Sequence, residues 1–224
     1  MATAAAVGHG HPPTSTGLDH RKIAIWAFIG SECMLFTSLI STYLAYKGRS
    51  VRGPFPHEVC NPPQCATTLQ PILDIPVTSA STFVLLMSSL FMVLALAAVQ
   101  NKGKPGWAGT GWWARRLESS QLWLMATAIA GAAFLGFQAY EFTAFVHEGL
   151  TIKTNLFGSS FFTLTGFHGA HVTVGVLWLL TLYAIDVRRG LGPKDALIVD
   201  IAALYWHFVD VVWIAIFTLV YLIQ

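Results

Sequence analysis

The sequence has few charged residues for its length. Asp, Glu, Lys and Arg make up 11% of the 224 residues, whereas 54% of the residues are hydrophobic. Soluble domains carry roughly a quarter of charged residues, so this deficit, with a mean hydropathy of +0.59, indicates that the chain is dissolved mainly in a lipid bilayer. The formal net charge of +2 is too small to suggest a nucleic acid as partner.

The N-terminus lacks the features of a secretory signal peptide. Residues 1–20 are rich in Ala, Gly, Pro and Thr and show no basic segment followed by an apolar core. We therefore expect residues 1–20 to form a flexible tail. His9 and His11 are more typical of such a tail than of a metal or proton site.

Five apolar segments are long enough to cross a bilayer, which takes about 20 residues. The sequence predicts an all-α integral membrane bundle of five transmembrane helices, which together form one domain over residues 21–224. No internal repeat is visible, which disfavours a transporter built from inverted repeats. The predicted spans cover about residues 23–46, 77–99, 117–145, 155–185 and 196–222.

The distribution of basic residues predicts the orientation of the bundle, because cytoplasmic loops carry an excess of Lys and Arg. A cytoplasmic N-terminus places most of the 13 basic residues inside, and five crossings then place the C-terminus outside. The inner set is Arg21, Lys22, Lys102, Lys104, Arg115, Arg116, Arg188, Arg189 and Lys194, and the outer set is Lys47, Arg49, Arg52 and Lys153.

The chain has only three cysteines. Cys60 and Cys65 lie in the Pro-rich connection between the first two spans, which the predicted orientation places on the oxidising side. Two thiols five positions apart in a rigid turn are candidates for a disulfide, and a metal site is the weaker alternative because few other ligands lie near. Cys33, within the first span, is interpreted as a small packed side chain.

A few polar or ionisable residues fall inside the predicted spans, where each is costly unless it has a partner or water. They are interpreted as one buried polar seam to which every span except the second contributes. The candidate residues are Glu32, Gln138, Glu141, His168, His171, His207 and Asp210.

Glu32 lies near the middle of the first span and has two interpretations: a carboxyl that binds or relays protons, or a structural hydrogen-bonding node. His168 and His171 share one helix face, and we expect both to bridge to polar groups on neighbouring helices, with Glu32 as the obvious partner. Direct ligation of a metal ion by His168 and His171 is the less favoured hypothesis. His207 and Asp210, one turn apart, can bond to each other or to a second helix.

Four motifs, in order along the chain, resemble those of the five-helix subunit III family of haem–copper respiratory oxidases. Ser31–Phe36 (SECMLF) is similar to the segment that carries the family's carbodiimide-reactive glutamate, and Gly136–Phe142 (GFQAYEF) to its third-helix motif. Thr165–Gly175 (TGFHGAHVTVG) and Tyr205–Trp213 (YWHFVDVVW) resemble its fourth- and last-helix signatures.

This resemblance implies an accessory subunit of a proton-pumping terminal oxidase in a bacterial plasma membrane. The haems and copper belong to subunits I and II, and this subunit packs beside subunit I, contacts subunit II and small subunits, retains phospholipids and sustains proton uptake. Glu32 matches the carbodiimide-reactive position. Four further residues match polar core positions that hold no cofactor or metal: His168, His171, His207 and Asp210.

Within this family the last-helix motif favours a cytochrome c oxidase, with cytochrome c as electron donor. A quinol oxidase or a nitric oxide reductase complex is the alternative. Two hypotheses stand outside the family: a stand-alone proton or ion transporter built on Glu32 and the His pair, and a membrane cytochrome with His171 and His207 as axial haem ligands.

Overall fold

The fold is an all-helical bundle. The computed structural model describes residues 19–47, 49, 73–104 and 116–223, and this part of the chain contains no strand. The five helices are α1 His20–Tyr46, α2 Ile75–Gln100, α3 Ser120–His147, α4 Leu156–Arg189 and α5 Ala196–Phe217. A 3₁₀ turn, Pro193–Asp195, precedes α5, and a π-helical turn, Thr218–Leu222, continues it.

Each of the five helices is long and apolar enough to cross a membrane, which confirms the predicted all-α bundle of five spans; the orientation of its termini stays a prediction. The helix ends lie within about a turn of the predicted ones. The predicted boundary between tail and bundle, after residue 20, shifts by one residue because α1 begins at His20. Residues 1–18 and the cysteine pair Cys60 and Cys65 lie outside the described residues, so the flexible tail and the disulfide stay predictions.

Polar side chains determine where four of the helices begin. Asp19, Asp74, Ser119 and Asn155 precede α1, α2, α3 and α4, and each accepts a hydrogen bond from a backbone N–H of the first turn, at 2.6–3.3 Å. Such caps satisfy donors that the helix itself leaves free. Inside a membrane protein they fix where a continuous apolar helix starts.

The helix order around the bundle places α5 in the interior. This helix packs against α1, α2 and α4, while α3 lies between α2 and α4, and α1 lies against α4 and α5. The indole of Trp206 on α5 fills the space over Gly131 of α3 and Gly175 of α4, where a Cβ atom would lie 2.5 and 2.8 Å from the ring. Small residues allow this close approach between helices.

The alternating helices give the bundle two ends. At the end that we call the basic end lie Lys22, Lys102, Arg188, Arg189 and Lys194, beside the start of α1 and α3 and the end of α2 and α4. The opposite end holds the termini of the same helices at Tyr46, Ile75, His147 and Leu156, together with Leu222.

Candidate functional site

Glu32 on α1 and His171 on α4 face each other across one helix contact. The Glu32 Oε2 atom lies 3.2 Å from His171 Nε2, and His171 Nδ1 lies 2.8 Å from the Phe167 carbonyl oxygen. Both side chains are mostly buried, 18% and 17% exposed, and the Phe36 ring packs edge-on against the imidazole. The expected partnership between Glu32 and His171 is therefore confirmed.

The hydrogen bonds of His171 show what this pair can do chemically. A carbonyl oxygen only accepts, so Nδ1 carries a hydrogen. Nε2 then either accepts from a protonated Glu32 or, in a cationic imidazole, donates to an ionised Glu32. In both cases one proton lies between Oε2 and Nε2, and the pair can hold it or move it over a short distance.

His168 differs from His171 although the two lie one turn apart. Its side chain is completely buried, stacks on the Trp213 indole at a centroid distance of 4.9 Å and meets the Phe134 ring edge-on at 5.7 Å. Neither ring nitrogen has a hydrogen-bond partner among the described residues. The expectation that both histidines bridge to polar groups is therefore wrong for His168, because aromatic rings surround it.

His207 and Asp210 receive their polar neighbour from α2. The Ser89 hydroxyl lies 2.6 Å from His207 Nδ1 and also interacts with the Asp210 carboxyl. Asp210 is 3% exposed, and neither of its oxygens makes a hydrogen bond of normal geometry within the described part of the chain. Of the two arrangements left open, a partner from a second helix is the one present for His207.

The polar contribution of α2 contradicts the prediction that the second span stands apart from the seam. Its hydroxyls accept both buried indole N–H groups of α5: Trp206 donates to Ser88 Oγ and Trp213 to Thr82 Oγ1, each at 2.9 Å. The predicted set contained carboxyl, imidazole and amide side chains but no hydroxyls, which cost less to bury in a membrane span. The signal was present as Thr and Ser recurring at one-turn spacing in α2.

Gln138 and Glu141 on α3 serve two different contacts. The Gln138 amide donates to the Thr165 carbonyl of α4 at 2.7 Å, and a Glu141 oxygen lies 2.7 Å from the Thr78 hydroxyl of α2. Consequently the seven predicted residues do not form one seam. They are distributed over separate contacts between α1 and α4, α2 and α5, α2 and α3, and α3 and α4.

A further buried carboxylate, Asp186 near the end of α4, lies at the basic end. It accepts hydrogen bonds from the Ser120 hydroxyl at 2.5 Å and the Leu191 N–H at 2.7 Å, and Lys102 Nζ lies 3.9 Å away. Since its partners come from the turn after α2, the start of α3 and the connection to α5, Asp186 holds these helix ends together. Asp186 was absent from the predicted polar set because the predicted fourth span ends at about residue 185.

The hydrogen bonds of His171 bear on the hypothesis that this residue is an axial ligand of haem iron. Both ring nitrogens of His171 are already within hydrogen-bonding distance of protein oxygens, so an axial bond from His171 to haem iron requires one of these contacts to break. In the described ranges, no group of three or more His, Cys, Asp or Glu side chains lies close enough to share a metal ion.

Comparisons with known proteins cover nearly the whole chain. The family model of cytochrome c oxidase subunit III matches residues 2–224. The chain is 40% identical over 203 residues to cytochrome c oxidase subunit 3 of Bacillus sp. (strain PS3), which covers 91% of this chain and 86% of that protein.

Relatives named for another electron donor are also similar. Quinol oxidase subunit 3 of Bacillus subtilis (strain 168) is 34% identical over 200 residues, 89% of this chain and 85% of its own. Cytochrome bo(3) ubiquinol oxidase subunit 3 of Pseudomonas aeruginosa is 33% identical over 222 residues, 99% and 94% of the two chains. With five helices able to span a membrane and a family match from residue 2 to residue 224, the chain belongs to the cytochrome c oxidase subunit III family and is subunit III of a haem–copper terminal oxidase.

Proposed function

We propose that this chain is the accessory subunit III of a proton-pumping cytochrome c oxidase, the complex that passes electrons from cytochrome c to oxygen and forms water. The observation that supports the choice of electron donor is the identity of 40% and 38% to two cytochrome c oxidase subunits, against 34% and 33% to two quinol oxidase subunits; a third cytochrome c oxidase subunit is 33% identical. In this proposal the haems and copper that perform the redox chemistry are held by subunits I and II.

The contribution of this chain to proton uptake is assigned to Glu32 and His171. The pair lies midway along α1 and α4, holds a proton between two side chains, and is partly exposed at the surface of the bundle. A group with these properties can buffer protons close to a neighbouring subunit. The large exposed fraction of α1, in which only 6% of the most apolar stretch is buried, supports an assembly in which subunit I and lipid cover this helix.

Phospholipids are proposed as ligands of the grooves beside α1. One groove at the basic end is lined by Ala24, Ile25, Phe28, Trp178, Ile198 and Ile201, with Arg21 at its rim. Apolar walls suit an acyl chain, and a guanidinium at the water boundary suits a phosphate group. The basic end is proposed to lie on the cytoplasmic side of the bacterial plasma membrane, which the excess of Lys and Arg there supports.

The electron donor is tested on the complex purified through a tag on this chain in mild detergent. We expect haem a bands in the reduced-minus-oxidised spectrum and cyanide-sensitive oxygen uptake with reduced cytochrome c. Haem b or o bands with uptake only from quinol would move the chain to the quinol oxidases. A colourless chain that purifies alone would contradict the assignment to an oxidase and favour a transporter.

The role of Glu32 is tested by Glu32→Gln in the assembled complex, with Glu148→Gln as the matched control because Glu148 is exposed at the opposite end. Lower proton uptake per electron in Glu32→Gln, with unchanged haem content and subunit ratio, is the expected result. Equal uptake in both variants would reduce Glu32 to a hydrogen-bonding node between helices.

A further inference from the structure

Four buried side chains, Glu141 among them, cluster near the opposite end of the bundle, away from the contact between Glu32 and His171. Thr78 comes from α2, Tyr43 from α1 and Tyr221 from the π-helical turn after α5, and the exposed fractions of these three are each 1%. Glu141 itself is 7% exposed. The cluster of Tyr43, Thr78, Glu141 and Tyr221, called the Glu141 cluster below, thus joins four separate elements.

The Thr78 hydroxyl lies within hydrogen-bonding distance of two oxygen atoms but has only one hydrogen to donate. Its Oγ1 atom lies 2.9 Å from the Asp74 carbonyl oxygen and 2.7 Å from Glu141 Oε1. A hydroxyl donates one hydrogen, and a carbonyl only accepts. If Thr78 donates to Asp74, as Thr residues in helices commonly do one turn back, the second contact requires a proton from Glu141.

The charges around Glu141 also favour a protonated carboxyl. Within the described ranges no Lys, Arg or His forms an ion pair with its carboxyl, and the charged neighbour that acts on it is the carboxylate of Asp74. An ionised carboxyl buried in a membrane is costly without a cation. A protonated carboxyl avoids that cost and supplies the missing donor.

The Tyr221 hydroxyl is a second possible acceptor for the hydrogen of a protonated Glu141. The Tyr221 hydroxyl lies beside Glu141, Thr78 and Tyr43, yet neither tyrosine hydroxyl makes a hydrogen bond of normal geometry in the described structure. A phenolic oxygen can accept from a carboxyl O–H and pass on its own hydrogen. The carboxyl hydrogen can therefore turn between Thr78 on α2 and Tyr221 in the C-terminal turn.

The Glu141 cluster also has a short connection to water. Asp74 is exposed at the N-cap of α2, and its carbonyl accepts from Thr78 one turn further along. A helical turn rises about 5.4 Å, so Glu141 lies roughly one turn below the surface of the opposite end. Glu32, in contrast, lies near the middle of α1.

We propose that Glu141 is a second proton-binding group of this subunit, a protonated carboxyl that donates to Thr78 or Tyr221 and exchanges its proton with water at the opposite end beside Asp74. The group is independent of the Glu32–His171 pair, since the two sites involve different helix contacts. The assignment also does not depend on whether cytochrome c or quinol reduces the complex.

The test is perfusion infrared spectroscopy of the purified oxidase complex, in which H₂O is replaced by D₂O. The wild-type complex and the Glu148→Gln control should both show an exchangeable carbonyl band of a protonated carboxyl that Glu141→Gln lacks. Identical bands in all three complexes would overturn the proposal, because Glu141 would then be ionised or shielded from exchange.

A second pair of variants covers the case in which Glu141→Gln fails to assemble. Thr78→Val removes the hydroxyl but keeps the volume, whereas Ser79→Ala changes an exposed neighbour on the same helix. The carbonyl band should move in frequency in Thr78→Val, because the carboxyl loses one hydrogen-bond partner, and stay in place in Ser79→Ala. Tyr221→Phe removes the other acceptor, and a band that moves in neither Thr78→Val nor Tyr221→Phe would show that the carboxyl seen belongs to another residue.

Discussion

The first and the last helix of this bundle have the same mean hydropathy over their most apolar stretches but opposite surroundings. In α1 only 6% of that stretch is buried within the chain, whereas in the span Pro193–Leu222 the buried share is 56%. Trp26 of α1 is 58% exposed, while Trp206 and Trp213 of α5 are 1% and 2% exposed. Hydropathy therefore predicts that both helices enter the membrane and does not predict which one forms the centre.

The difference lies in how the two helices are held. Helix α5 inserts two indoles among α2, α3 and α4, and both indole N–H groups find hydroxyl acceptors. Helix α1 is attached mainly at separate points along its length: Lys22 pairs with Asp200, Glu32 meets His171, and Lys47 Nζ donates to the Ile223 carbonyl. Van der Waals packing drives helix association in lipid, so α5 should contribute far more to stability than α1.

The largest expected effect comes from Trp206→Ala. This change empties the space over Gly131 and Gly175 and leaves the Ser88 hydroxyl without its indole donor. Truncation of a buried Trp costs about 3–5 kcal/mol. Equilibrium unfolding of the purified chain in mixed detergent–lipid micelles should show that loss.

Trp26→Ala is the control for this change, because it removes the same side chain from an exposed position on α1. We expect its unfolding free energy to remain within about 0.5 kcal/mol of the wild type, as for most surface substitutions. Equal losses in the two variants would mean that α1 is buried by its own bundle as α5 is, and the comparison between the helices would fail.

Much of this arrangement could be predicted from the sequence, and the reason for the remainder is physical. Five spans follow from apolar length, and the pairing of Glu32 with a histidine of α4 follows from the cost of burying either group alone. Which histidine takes that partner does not follow, because His168 and His171 differ only by the rotation of α4. The role of Ser88 depends on the position of Trp206 in three dimensions.

A smaller effect is expected from Gly131→Ala on α3. The added Cβ would lie 2.5 Å from the Trp206 ring and 2.8 Å from the Val176 side chain, and a buried indole cannot move aside without disturbing its hydrogen bond to Ser88. Overpacking of this kind costs about 1–3 kcal/mol. The same unfolding measurement should detect it.

Gly136→Ala, on the same helix, is the matched control, since nothing lies within 4 Å of its added Cβ. Ala is the better helix former by roughly 1 kcal/mol, so this variant should be neutral or more stable than the wild type. If Gly131→Ala were equally harmless, the tight contact between α3 and α5 described above would be wrong.

The contact between Glu32 and His171 should contribute less to stability than the packing around Gly131. In a double-mutant cycle with Glu32→Gln and His171→Leu, we expect a coupling free energy of about 0.6 kcal/mol, the average for polar contacts between membrane helices, and at most about 1.7 kcal/mol. The cycle isolates the pair from the packing that each residue loses separately. A coupling near zero would show that α1 is held to α4 by the Phe36 ring rather than by the carboxyl.

The smallest effect is expected from the ion pair between Lys22 of α1 and Asp200 of α5. The 2.6 Å separation of Nζ and Oδ2 is short, but the side chains are 37% and 24% exposed, so water and salt screen the attraction. Such pairs contribute roughly 0.2–1 kcal/mol. A cycle of Lys22→Met and Asp200→Asn should give a coupling in this range that decreases at high salt. A larger coupling that salt leaves unchanged would contradict the view that α1 is only weakly attached, and the start of α1 would then be fixed to α5 as firmly as the indoles fix α5 to α2.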